Sequence, residues 1–141
     1  MTELKPYVRP VHYYETDRMA IVHHSNYIRW FEEARLHQLS QLGIDYSSME
    51  EQGILIPVVD VSCKYHRSVR YGDTVEIRSI LTHYNGVRMT YQYEVRICGS
   101  DVLAATGTSC HCFVDCNQRP FSLKKKSPDL HQKLSDLIEP E

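Results

Sequence analysis

At 141 residues with 42% hydrophobic composition, the chain has room for one domain with a sizeable core. A net charge of −2 excludes a broad basic face for nucleic acid and an acidic tail. Five cysteines, an odd number without the spacing of a disulfide framework, point to a reducing compartment. The start MTELKPYVRP lacks an apolar signal core, and no apolar run approaches the ~20 residues of a membrane span, so a cytoplasmic location is expected.

Residues 7–14 read as a first strand, with Val11 and Tyr13 on one face and Pro10 arguing for a sheet edge. A polar stretch follows, carrying Glu15, Thr16, Asp17, His23, His24, Ser25 and Asn26. It leads into a helical pattern in which Tyr27, Ile28, Trp30, Phe31, Ala34, Leu36, Leu39 and Leu42 wrap most of the girth, the mark of a buried helix. Ser25 or Asn26 can cap its start, and Gly43 suits its end. A short helix is expected next, with Ser47 and Glu50 as a capping box and Gly53 as its stop.

From Ile54 the period becomes two. Val59, Val61, Cys63 and Tyr65 share one strand face, and Val75, Ile77, Ser79 and Leu81 point inward on the next strand. Asn85-Gly86 predicts a type I′ hairpin. Met89, Tyr91, Tyr93, Val95 and Ile97 then alternate with polar residues. Gly99-Ser100 turns the chain into a last strand at about 102–114. Lys124-Lys125-Lys126 reads as a solvated loop, and Ser127-Pro128-Asp129 opens a surface helix over about 128–138, with an apolar stripe of Leu130, Leu134, Leu137 and Ile138. A strand, a buried helix and four antiparallel strands make an α+β domain over 1–141, with its core at about 7–115. The helix has more apolar surface than one sheet face hides, and an edge strand is left over, so a homo-oligomer is expected.

The chemistry centres on Asp17. Its bland role is to cap a turn. Its functional role follows from a nearby helix N-terminus, whose free N–H groups and dipole hold negative charge. A carboxylate there can attack a carbonyl or deprotonate a water that does, and the helix N–H groups can hold the oxyanion. An ionised Asp is a weak base, so a thioester suits it better than an amide. His24 lies nearest the helix start; His23, its neighbour, points elsewhere. Cys110 and Cys112 share a strand face with His111 opposite, and no C-x-x-C pair exists, so no metal site is expected and the cysteines read as small buried hydrophobes. No G-x-S-x-G elbow, G-x-G-x-x-G or P-loop occurs.

The run from Tyr14 through Glu15-Thr16-Asp17-Arg18-Met19-Ala20-Ile21-Val22-His23-His24-Ser25-Asn26-Tyr27 to Arg29-Trp30-Phe31-Glu32, with the later Val69-Arg70-Tyr71-Gly72-Asp73, resembles the hotdog-fold acyl-CoA thioesterases of the 4-hydroxybenzoyl-CoA thioesterase type. The resemblance implies a hotdog fold, an antiparallel sheet wrapped around one long central helix, assembled as dimers or tetramers with sites at subunit interfaces. It implies Asp17 as nucleophile or general base, the His24 backbone N–H as oxyanion donor with the His24 side chain lining the site, and no cofactor beyond the CoA of the substrate. Tyr14, Ser25, Asn26, Tyr27, Arg67, Arg88 and Lys124 are the implied substrate and CoA contacts. The thioester substrate is acyl-CoA, or an acyl carrier protein in its place. The family motif has Gly where this chain has Ala20, so either a positive φ is strained there or one methyl narrows the pocket. The other readings are a hotdog enoyl-CoA hydratase, against which stands the absence of Asn-Pro after Asp17, and a non-catalytic binding module for acyl-CoA or acyl carrier protein.

Overall fold

The computed structural model describes residues 4–138; residues 1–3 and 139–141 of the expected domain lie outside the described residues. The elements run β1 (Tyr7–Pro10), a 3-10 turn (Tyr13–Glu15), α1 (Ser25–Gln41), α2 (Tyr46–Glu51), β2 (Val58–Tyr65), β3 (Thr74–Tyr84), β4 (Arg88–Ile97), β5 (Val102–Cys112), α3 (Leu123–Lys126) and α4 (Pro128–Leu137). The strands form a five-stranded antiparallel sheet in the order β1-β3-β4-β5-β2, an α+β arrangement. β1 pairs antiparallel with β3, from Tyr7 opposite Ile77 to Pro10 opposite Thr74. Pro10 therefore sits on an edge strand, where its missing N–H costs no ladder bond. The first strand is shorter than expected: it stops at Pro10, and Tyr13–Glu15 winds into the 3-10 turn.

α1 is amphipathic rather than buried all round. Tyr27, Trp30, Phe31, Ala34 and Leu39 are buried, whereas Ile28 is 43% and Leu36 40% exposed. It begins at Ser25, one residue earlier than a Ser25 cap requires and two earlier than an Asn26 cap. The Asn26 side chain instead donates to the Glu15 carbonyl (2.9 Å) and the His23 carbonyl (3.3 Å). Gly43 closes the helix at φ +77°. The cap of α2 is Asp45, not Ser47: its carboxylate accepts from the Ser47 N–H at 3.2 Å and the Ser48 hydroxyl at 3.1 Å.

The β3–β4 hairpin forms where Asn85-Gly86 predicts it, but with another turn. The Asn85 N–H donates to the Arg88 carbonyl, and Asn85 Oδ1 accepts the Val87 and Arg88 N–H groups. Of the pair only Gly86 has positive φ, whereas a type I′ turn needs it at both central positions. β4 alternates as expected, with Met89, Tyr91, Tyr93 and Val95 buried. Lys124–Lys126 form one helical turn, α3, with the lysines exposed. None of the five cysteines is fully buried; all are free thiols. His111 is buried and Cys110 and Cys112 are not, which agrees with opposite faces of β5.

The chain divides into two compact units. One draws on Met1–Gln38, Ser62–Ser79 and Tyr93–Gly107, the other on Leu39–Val61, Ile80–Gln92 and Thr108–Glu141. In the first, Phe31 stacks on Tyr93 with ring centres 4.3 Å apart. Gly107 passes beside that pair, and a Cβ there would run into the Phe31 ring and the Ser62 carbonyl. In the second, Tyr84 packs edge-on against Phe113, and its hydroxyl meets His131 Nδ1 of α4 at 2.7 Å. No helix among the described residues is long and apolar enough to cross a membrane.

Candidate active site

The polar stretch before α1 is held by short-range backbone bonds. The Asp17 N–H donates to the Ile21 carbonyl (2.9 Å) and the Ala20 N–H to the Asp17 carbonyl (3.0 Å), closing a turn over residues 17–20. Asp17 Oδ1 accepts the Met19 N–H at 2.8 Å, so the aspartate does cap its own turn. Ala20 lies at φ +64°, the left-handed region that disfavours an L side chain. The replacement of Gly by Ala in the motif is therefore a matter of backbone strain, and Ala20 is not among the residues lining the cleft.

The second motif stretch backs this loop. The Val22 N–H donates to the Val69 carbonyl at 2.8 Å, and Ile21 bridges to Arg70. The Arg70 N–H reaches Asp73 Oδ2 at 2.9 Å, and Gly72 takes φ +98° in the turn between them.

A cleft of about 250 Å³ opens within the first unit, lined by Asp17, Met19, Ile21, Val22, His24, Tyr27, Tyr65, His66, Arg67 and Ser68. Asp17 and His24, the residue preceding α1, both line this one cavity. The His24 N–H takes part in no hydrogen bond among the described residues, while its carbonyl accepts the Tyr65 hydroxyl at 3.0 Å. The Tyr65 ring stands edge-on to Tyr27 at 4.9 Å. Burial pushes both phenols up to about 12, with the nearby Cys63 thiol adding to each, so both stay neutral donors at ordinary pH. Arg67 supplies a cation and His66 an imidazole whose Nε2 meets the Thr106 hydroxyl at 3.0 Å.

Of the residues expected from sequence, Asp17, His24, Tyr27 and Arg67 meet at the cleft. Tyr14, Ser25 and Asn26 are not on its wall: Tyr14 is exposed and stacked on His12, the Ser25 hydroxyl pairs with His23 Nδ1 at 2.8 Å, and Asn26 ties the loop to the helix. Arg88 and Lys124 are exposed residues of the second unit and do not line it either. Tyr65, His66 and Ser68 line the cleft without having been singled out. The signal for His66 is tertiary: its N–H and that of Arg67 both donate to the Ala104 carbonyl, a doubled contact at the end of β2 that a strand pattern does not reveal.

A carboxylate, an available N–H beside a helix start and a half-apolar cleft are the parts an acyl-transfer site needs. The thioesterase-like superfamily profile matches residues 11–137. YneP of Bacillus subtilis (strain 168), named as a candidate acyl-CoA thioesterase, is 38% identical over 122 residues, covering 86% of this chain and 88% of that protein. The 1,4-dihydroxy-2-naphthoyl-CoA hydrolase of Thermosynechococcus vestitus is 26% identical over 91% of this chain and 86% of its own length. Among solved structures, a DHNA-CoA thioesterase from Staphylococcus aureus superposes with TM-score 0.89 at 34% identity, covering 94% of this chain and 89% of that one. Fold and relatives define an enzyme of the thioester-hydrolase class. The chain belongs to the thioesterase-like superfamily.

Proposed function

We propose that this enzyme hydrolyses acyl-CoA thioesters to the free acid and CoA, with Asp17 and the start of α1 as the reacting centre. One observation carries the reading: Asp17 and His24, separated by a loop in the chain, line the same cleft. In the general-base route, Asp17 takes a proton from water as the water oxygen attacks the thioester carbonyl carbon. The carbonyl oxygen becomes an oxyanion beside the His24 N–H and the positive end of the helix. Collapse breaks the C–S bond, the proton passes to the departing CoA thiolate, and the acid leaves. In the nucleophilic route an Asp17 oxygen attacks first and CoA leaves as the thiolate. Water then hydrolyses the mixed anhydride, restoring the Asp17 carboxylate, freeing the acid and releasing the proton that the thiolate takes up.

Met19, Ile21, Val22, Tyr27 and Tyr65 supply apolar and aromatic contacts for the acyl group, and Arg67 supplies charge for the CoA phosphates. The chemistry uses no metal or cofactor beyond that CoA; an acyl carrier protein thioester is the other form of substrate. The hotdog arrangement of a sheet wrapped about α1 belongs to this reading. So does a homo-oligomer, dimer or tetramer, supported by edge strand β2, where Val58 is 50% and Val59 53% exposed. So does a cytoplasmic site of action.

The test is Asp17→Asn, which keeps shape and removes the charge, against a panel of acyl-CoA and acyl-carrier-protein thioesters read by released thiol. We expect kcat to fall at least about 100-fold, within the range for loss of a general base. Turnover within a few-fold of the parent would exclude the assigned role.

A further inference from the structure

Beneath the Asp17 loop lies a buried polar cluster that the proposed chemistry does not use. Glu15 is 5% exposed, and both carboxylate oxygens are fully engaged. Oε1 accepts from Arg9 Nη2 at 3.0 Å and the His12 N–H at 2.8 Å; Oε2 accepts from Arg9 Nη1 at 2.8 Å and Trp30 Nε1 at 2.9 Å. Arg9, equally buried, stands over the Trp30 ring at 5.0 Å, and its Nε lies 3.6 Å from Glu33, which also accepts the Tyr7 hydroxyl. The Glu15 backbone is engaged as well: its carbonyl accepts the His23 N–H at 2.8 Å and the Asn26 amide at 2.9 Å. One residue thus fastens together β1 through Arg9, the 3-10 turn through His12, and α1 through Trp30 and Asn26.

Asp17 is two residues beyond Glu15, and the N–H groups proposed to hold the oxyanion follow directly after His23. We propose that Glu15 is the positioning residue of this enzyme, setting the separation between the Asp17 carboxylate and the start of α1 without touching substrate. The proposal rests on the hydrolytic role given to Asp17. The physical reason is that the Asp17 turn is itself short and partly exposed, so its place relative to the helix is inherited from the buried anchor beside it. Arg9 and Trp30 are donors only, and a bidentate guanidinium fork with an indole N–H fixes the carboxylate in direction as well as distance. A displacement of about 1 Å at a reacting group can cost on the order of 100-fold in rate.

The experiment compares wild type, Glu15→Gln, Glu15→Asp, Asp17→Asn and the double variant Glu15→Gln/Asp17→Asn on one acyl-CoA, well below each unfolding temperature. Glu15→Gln replaces one acceptor oxygen with an NH2 donor that faces the donors of Arg9 and of His12 or Trp30. Glu15→Asp keeps the charge beside Arg9 but shortens the reach by one methylene, and it is the deciding variant if the glutamine form does not fold. Trp30 is the only tryptophan, so its emission reports whether its contact with residue 15 has changed in folded protein. The expected result is a kcat loss of about 10- to 100-fold per folded molecule for each Glu15 variant, with KM within about threefold. The double variant should be no slower than Asp17→Asn, because the two residues act as one unit.

A folded Glu15 variant with kcat within twofold of wild type overturns the proposal, while Asp17→Asn still shows its loss of about 100-fold or more. Independent, multiplying losses in the double variant overturn it too. Full activity in Asp17→Asn sinks both assignments, and is distinguishable because it does not depend on Glu15.

Discussion

Ala20 offers the sharpest test of the backbone argument. It is held at φ +64° by a turn whose hydrogen bond runs from its N–H to the Asp17 carbonyl at 3.0 Å, and glycine can occupy the same conformation with that bond intact. An L-residue in the left-handed region costs about 1–2 kcal/mol. Glycine removes that cost but frees the unfolded chain by about 0.5–1 kcal/mol. Ala20→Gly should therefore stabilise the protein by about 0.5–1 kcal/mol, raising Tm by roughly 2–4 °C for a chain of this size. Gln118, exposed at φ +62°, provides a parallel: Gln118→Gly should shift Tm in the same direction. Paired thermal and urea unfolding, with the urea slope unchanged, measures both. Since Ala20 does not line the cleft, kcat should stay within about threefold. A Tm for Ala20→Gly equal to or below that of the parent would refute the strain argument.

Three further outcomes are expected. Gly107→Ala should destabilise by about 1–3 kcal/mol, because the added methyl meets Phe31 and the Ser62 carbonyl; an unchanged urea midpoint would show that the neighbours give way. Arg67→Ala should raise KM for acyl-CoA by about tenfold, an amount typical of a hydrogen bond to a charged group, with kcat within twofold and the difference shrinking in high salt. A loss confined to kcat would contradict the binding role. Tyr27 is raised by burial to about 12 from an ordinary 10.0, so the folded state prefers the neutral phenol. That preference is fully present below pH 10 and is lost as pH rises through about 12; Tm followed across this window should fall less steeply in Tyr27→Phe.

The linear chain already carried the α+β composition of the fold, because period-two and period-3.6 patterns need no tertiary information to be read. Residues 88–97 alternate with such regularity that β4 follows directly, and Asn85-Gly86 located its hairpin. That Asp17 and His24 line one cleft was legible for a different reason: both lie in one local motif, and residues close in sequence are readily brought to one wall. Tertiary structure decided the rest. Ile28 and Leu36 look like core residues but are exposed, since a pattern counts apolar positions without knowing which face meets the sheet. β1 gave way to a 3-10 turn after Pro10, and Tyr65, His66 and Ser68 joined the cleft from a strand distant in sequence. Glu15 was one acidic residue among several until folding placed Arg9, the His12 N–H and Trp30 around it. A buried carboxylate is defined by the donors that converge on it, and convergence of residues far apart in the chain is a property of three dimensions alone.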